Sequence, residues 1–365
     1  MNTLNRNVHT VIPIVSWTGA GPPMSMNLYH NSATVDWLVD LTRGMGFDLG
    51  PGWTTSFSAH ISNYGVGKAV ISDDGARNLF NQNGAQWDGP RGVHDVLTFD
   101  EVTQKYTLKH KDQSYDEFDN NGLLIAVVDA LGNRITIQRV DGRIDTVTDA
   151  AGRILRFTYN EFFNLDKIID PVELEDQADP GDPEPLQERE WTFTRGNLGH
   201  LSTIRDPMGY LIDMQYDSEG RIERIADKHH IDNFPGWYVY EYDIGFERDR
   251  DALRRVTDPL NFKQAFQAAY DANFSFHVNH TDKRGNLWVY DSWRGAVGNA
   301  PAGAITNPLA QKSTFQYDTD WNLLQRTDPL NNTWTYTYDA TGNTLTRIAA
   351  ARPAQLLAPA GLDLR

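Results

Sequence analysis

Cysteine is absent from this 365-residue chain. That excludes disulfides, thiolate nucleophiles and cysteine-ligated zinc together. Basic residues are also scarce: 33 Lys and Arg stand against 49 Asp and Glu, a formal net charge of −16 at pH 7. A nucleic-acid binder carries a basic footprint, and none is visible here. The acid excess favours solubility and argues against anionic membrane surfaces. No apolar run approaches the roughly 20 residues of a membrane span. Residues 1–7 lack the charged-then-apolar layout of a signal peptide, which leaves export by a dedicated machine or a signal already removed. No serine sits in a Gly-x-Ser-x-Gly elbow, and Gly65-Val66-Gly67-Lys68 falls short of a phosphate loop.

Aromatic residues are abundant, with 10 Trp, 15 Tyr and 16 Phe, and hydrophobic residues make up 40% of the chain. Such a chain has enough apolar surface to fold. It also repeats itself. Tyr216-Asp217-Ser218-Glu219-Gly220-Arg221-Ile222, Tyr317-Asp318-Thr319-Asp320-Trp321-Asn322-Leu323 and Tyr338-Asp339-Ala340-Thr341-Gly342-Asn343-Thr344 share one pattern. Between the last two lies Asp328-Pro329-Leu330-Asn331. A period of about 21 residues belongs to repeat architectures, in which neighbouring units share a core.

The unit is readable as physics. In 140–159, two β-prone runs flank Asp149-Ala150-Ala151-Gly152. An Asp followed three residues later by Gly suits a tight turn: the carboxylate accepts backbone N–H groups, and Gly takes positive φ without a Cβ penalty. Leu155, Phe157 and Tyr159 then alternate with Arg156 and Thr158, the period of a half-buried strand. In the Asp206-Pro207 and Asp258-Pro259 versions, Pro pre-sets φ at the second turn position. Each unit carries two strands and two turns. Consecutive units should therefore pair antiparallel in one long sheet, because a lone hairpin is marginal.

The pattern Tyr-Asp-x-x-Gly, an apolar stretch, then Asp-Pro-x-Gly/Asn resembles the YD repeat of the Rhs family. Its members include bacterial Rhs proteins, toxin-complex C components and the teneurin-type YD barrel. Phe47-Asp48-Leu49-Gly50-Pro51-Gly52-Trp53 resembles the segment that opens many Rhs repeat regions, and the likeness runs to about Ile348. The resemblance implies an all-β fold: a long twisted antiparallel sheet of hairpin repeats curling into a spiral or partial β-cage. It implies a structural role, as a shell segment that encloses or presents an attached toxin-like polypeptide, and a bacterial, secreted or cell-surface setting. Many relatives end in a core segment at which the chain cuts itself. Here Asp206-Pro207-Met208-Gly209-Tyr210 is an ordinary repeat turn, which makes this a partial shell, a truncated relative or a fragment.

The chain divides into an irregular segment 1–46, degenerate hairpins 47–116, repeats 117–348 and a disordered tail 349–365. Ile12, Ile14 and Leu28 hint at short strands in the first, and 34–41 is its best helix candidate. Insertions at 171–190 and 295–308, rich in acids and Pro or in Gly, Ala and Pro, read as exposed loops.

Candidate chemistry is thin. His229-His230 and His277-x-x-His280 match no strong metal motif, and positions i and i+3 of a strand face opposite ways. We therefore expect no metal, no cofactor and no enzyme. Asp129, Asp149, Asp206, Asp227, Asp258 and Asp328 recur at the turn position and read as turn formers. The repeat residues expected to carry the fold are Tyr216, Asp217, Gly220, Asp258, Pro259, Tyr317, Asp318, Asp328, Pro329, Tyr338, Asp339 and Gly342. Trp288, Trp321 and Trp334 suit glycan stacking, although aromatic pairs also stabilise sheets directly. A carbohydrate-binding surface protein is thus the alternative function. A glycan-processing enzyme would need paired carboxylates outside the turn positions. Expected partners are further Rhs repeats of the same or a parent protein, or an enclosed polypeptide.

Overall fold

The computed structural model describes residues 7–19, 21–32, 49–170, 188–196, 199–226, 236–243, 252–270, 276–293 and 301–349. The expected helix at 34–41, His229-His230, the tail beyond 349 and most of the 171–190 insertion lie outside these residues. Among the described residues every regular element is a strand and there is no α-helix. A three-stranded sheet comprises β1 (His9–Trp17), β2 (Met24–Asn31) and β3 (Trp53–Thr55). A second sheet runs from β4 (His60–Tyr64) to β29 (Thr344–Ala349), 26 strands each pairing antiparallel with the next in chain order. Among the described residues nothing pairs β29 with β4, so the ribbon stays open.

Three details differ from the sequence reading. Segment 1–46 is not irregular throughout, because β1 and β2 form a long hairpin whose Ile12, Met24, Met26 and Leu28 are buried. The 295–308 insertion holds a strand, Ala302–Thr306, paired on both sides. Arg189 and Glu190 already belong to the strand Arg189–Arg195.

One ladder feature recurs. Register shifts occur at Glu117/Phe118, Gln138/Arg139, Thr158/Tyr159, Thr194/Arg195, Gln215/Tyr216, Glu241/Tyr242, Asp291/Ser292, Gln316/Tyr317 and Thr337/Tyr338. All sit on alternate strands, next to the connections on the same edge of the ribbon. A bulge bends its strand and increases local twist, so bulges confined to one edge coil the whole ribbon. The opposite edge carries the plain turns, including Asp258-Pro259 and Asp328-Pro329.

The core is uneven along this coil. Side chains of β1–β3 merge with Phe80, Leu97, Phe118, Leu124, Val147, Leu155, Ile168, Leu201 and Ile222 into one apolar cluster. The three-stranded sheet thus covers one face of the early ribbon. Smaller clusters follow around Leu253 and Phe266, then around Phe276 and Val278. Past Ala304 no side chain is buried among the described residues.

Candidate functional site

The repeat residues build one device many times over. Asp217 Oδ1 accepts the backbone N–H groups of Glu219 and Arg221, and the N–H of Gly220 donates to the Asp217 carbonyl. Asp258 does the same for Leu260 and Phe262, Asp318 for Asp320 and Asn322, Asp328 for Leu330 and Asn332, and Asp339 for Thr341 and Asn343. The residue three places on has positive φ: Gly220 and Gly342 at 82°, Asn261 at 65°, Asn331 at 62° and Trp321 at 63°. Pro259 and Pro329 occupy the second turn position. The carboxyls of Asp258, Asp318, Asp328 and Asp339 are held below their ordinary range; for Asp339, where the pKa falls to about 2, the largest cause is the Asn343 N–H. They are spent on backbone donors, and chemistry on a substrate would require giving those bonds up.

The tyrosines close the bulges. Each hydroxyl donates to the carbonyl of the residue facing the preceding bulge. Tyr159 reaches Ile144 at 2.8 Å, Tyr216 reaches Leu201 at 2.6 Å, Tyr317 reaches Ala302 at 3.1 Å and Tyr338 reaches Leu323 at 2.8 Å, always 15 positions back. Those four acceptors pair with Arg139, Arg195, Ser292 and Tyr317, the bulged residues one hairpin earlier. A bulge disrupts the ladder, and the hydroxyl satisfies a carbonyl there. Tyr242 follows the same rule, to Ile222.

The three tryptophans do not form a row. Trp321 sits in the 318–322 turn, on the bulge edge, where it faces Gly92. Trp288 and Trp334 lie near the opposite edge; Trp288 pairs with His280 across the ladder, and Trp334 takes the Arg326 guanidinium 5.5 Å from its ring. His280 stacks on Phe266 at 4.5 Å and meets Gln264 Oε1 at 3.2 Å, and burial lowers its pKa. His277 pairs with Asp291, three rungs away from the Trp288 pair. Among the described residues no set of three His, Asp or Glu side chains has the arrangement of a metal site.

A cleft of about 440 Å³ lies between the three-stranded sheet and the first strands of the ribbon. Its polar lining includes Asn27, Tyr29, Asp73, Asp95, His110 and Asp116. His110 Nδ1 donates to Asp95 at 3.2 Å and Nε2 to Asp116 at 3.3 Å. These two bonds, Asp116 first, push the imidazole up to about 10, so it is a cation at neutral pH. Burial, then the neighbouring Asp74, raises the Asp73 carboxyl. The sequence reading gave none of these residues a site role, though a signal was there. His110 makes the two backbone bonds of a repeat Asp, to Ser114 and from Gln113, so it is a histidine where the turn grammar places a carboxylate.

No family model matches this chain. No curated protein matches it either. Among solved structures it is similar to the crystal structure of TcdB2-TccC3-Cdc42, at 12% identity over 89% of this chain and 20% of that one, with a TM-score of 0.40. The crystal structure of TcdB2-TccC3 gives 12% identity over 93% and 21%, also at 0.40. The chain spans about a fifth of the length of those chains.

Proposed function

We propose that this chain is a wall segment of an Rhs-type β-cage, secreted or held at a cell surface, that encloses or presents an attached polypeptide and performs no catalysis. The observation that carries this reading is the changing cover of one ribbon face. Over the early strands it is filled by the chain's own β1–β3. Beyond Ala304 the strands keep the same antiparallel ladder and recurring bulges, with no buried side chain among the described residues, and all of β29 is exposed. A sheet face continued without a core suits cover by another polypeptide, and among the described residues the outer edge of β29 is unpaired, an edge that readily pairs with another strand. The partner is further repeats of the same or a parent protein, or the enclosed polypeptide.

Sedimentation velocity over a wide concentration range tests this. Self-association, or stabilisation by added neighbouring repeats, is expected, with melting unchanged by oligosaccharides. A strictly monomeric chain whose melting rises several degrees with an oligosaccharide would overturn it in favour of carbohydrate binding. The cleft at Tyr29, Asp73 and His110 is the observation that favours this second reading, since convergent polar groups over an apolar floor suit a polyhydroxylated ligand. Asp73→Asn and Tyr29→Phe would then abolish that stabilisation.

A further inference from the structure

Where β1–β3 meets the ribbon, His30 and His200 come together on one aromatic group, while His9 lies on the other face of the β1–β2 hairpin; among the described residues, buried nitrogens of all three lack hydrogen-bond partners. They are His9 Nε2, His200 Nδ1 and both nitrogens of His30. His30, on β2, is fully buried. Its ring lies edge-on to Trp53 at 5.2 Å and to Tyr216 at 6.0 Å, the first from β3 and the second from the ribbon. His200, just before the strand Leu201–Arg205, stacks on the other side of this group, 4.7 Å from Tyr216. His9, on β1, stacks on Tyr29 at 5.6 Å. Trp53 Nε1 donates to Tyr216 Oη at 2.9 Å, so the contact is held by a bond between two neutral groups.

Charge is poorly matched to a proton here. The ionisable groups acting on the His30 ring are His200 and His9, both of which would oppose its protonation. Arg195 acts on His200 and Tyr216 with the same sign, and Asp217, already paired with Arg221, acts only on His200 in the opposite sense. The Gly220 carbonyl favours the protonated His30 ring without meeting hydrogen-bond geometry for either nitrogen.

We propose that the His30–His200 pair around Tyr216 is an acid-sensitive latch: protonation releases β1–β3 from the ribbon and uncovers the face it occupies, while the ribbon's own ladder stays intact. The inference rests on the docking geometry and not on the shell reading. Burial lowers His30 to about 3 from an ordinary 6.5. A ring freed into water recovers the ordinary value, so the released state binds more protons between those limits. Docking is fully favoured above 6.5 and weakens about tenfold per pH unit below it, until about 3. His200, also lowered by burial, adds in the same direction.

Because the chain has no cysteine, a single introduced thiol reports exposure. Leu28→Cys places one in β2 at a fully buried position, and Val278→Cys places one in a separate core cluster of the ribbon. Labelling by dithiodipyridine, corrected for a free thiol, should accelerate about a hundredfold at Leu28→Cys from about pH 7.5 to about pH 4.5. Val278→Cys should hold its rate, and His30→Phe should cut the Leu28→Cys acceleration to below about tenfold. Equal acceleration at both thiols, none at Leu28→Cys, or full acceleration in His30→Phe overturns the latch. Should His30→Phe fail to fold, His200→Phe decides: a severalfold smaller acceleration supports the latch, and an unchanged one overturns it.

Discussion

His94 Nε2 lies 3.2 Å from Asn322 Oδ1, across 228 positions of sequence. His94 belongs to a connection on the plain edge near the start of the ribbon, and Asn322 closes a turn on the bulge edge near its end. Beside them Gly92 faces Trp321, and Gly342 faces the His94 ring. The ribbon has therefore wound until one edge of its early strands rests on the other edge of its late ones. This is the geometry expected when every bulge lies on the same side. It is also why an open ribbon holds its shape without a strand pairing its ends.

Asp149 tests the turn device where it does most. Its carboxylate accepts from the N–H groups of Ala151 and Arg153, from Arg153 Nε and from Trp17 Nε1, and its side chain is 4% exposed. Asp149→Ala removes the carboxylate paired with Arg153 and strands the indole N–H, and should cost about 3–5 kcal/mol in urea unfolding. Asp328→Ala, on an exposed turn where the side-chain donor is the Asn332 amide rather than an Arg or an indole, should cost only about 1–2 kcal/mol. Equal losses would show that the Trp17 and Arg153 bonds contribute little.

The tyrosine rule predicts a graded response to removing one oxygen. Tyr338→Phe frees a half-exposed Leu323 carbonyl and should cost about 0.5–1.5 kcal/mol. Tyr216→Phe frees the buried Leu201 carbonyl and the Trp53 indole N–H together, and should cost about 2–3 kcal/mol. Matched chemical melts of the two variants rank them; a reversed order would mean that the hydroxyls are not what closes the bulges.

His110 makes a pH prediction of definite sign. Its folded pKa, about 10, lies above the ordinary 6.5, so its contribution is fully present below 6.5 and lost as pH rises from there to about 10. The stability difference between the wild type and His110→Gln should be greatest near pH 6 and shrink steadily toward pH 10. A difference independent of pH would show that His110 is not a charged bridge between Asp95 and Asp116.

Some of this was legible and some was not, for physical reasons. Asp217, Gly220, Asp258-Pro259 and Gly342 could be read as turn formers because a tight turn is local: the acceptor, its donors and the positive-φ residue lie within five positions. The Tyr216 hydroxyl bond to Leu201 was not readable, since it links successive hairpins and depends on a bulge that leaves no composition of its own. The β1–β2 hairpin was seen only as hints at Ile12, Ile14 and Leu28, because its strands are fixed by burial against a ribbon far away in sequence. The Asp95–His110–Asp116 group is assembled from two connections and the strand Tyr115–Phe118, and only the histidine at a turn position marked it.

Two glycines with the same backbone separate local strain from the edge-on-edge contact. Gly152 and Gly342 both follow an Asp turn, with φ of 85° and 82°. A Cβ on Gly152 meets nothing within 4 Å, whereas on Gly342 it would come within 2.5 Å of His94 Nε2. Gly152→Ala should therefore cost only the left-handed backbone penalty, about 1–2 kcal/mol. Gly342→Ala should cost the same penalty and also displace His94 from Asn322, for a further loss of about 0.5–1.5 kcal/mol. In a His94→Ala background the space reopens and the extra loss should vanish, leaving the two glycines equivalent. If Gly342→Ala remains the more damaging change there, the early and late edges are held by something other than this contact.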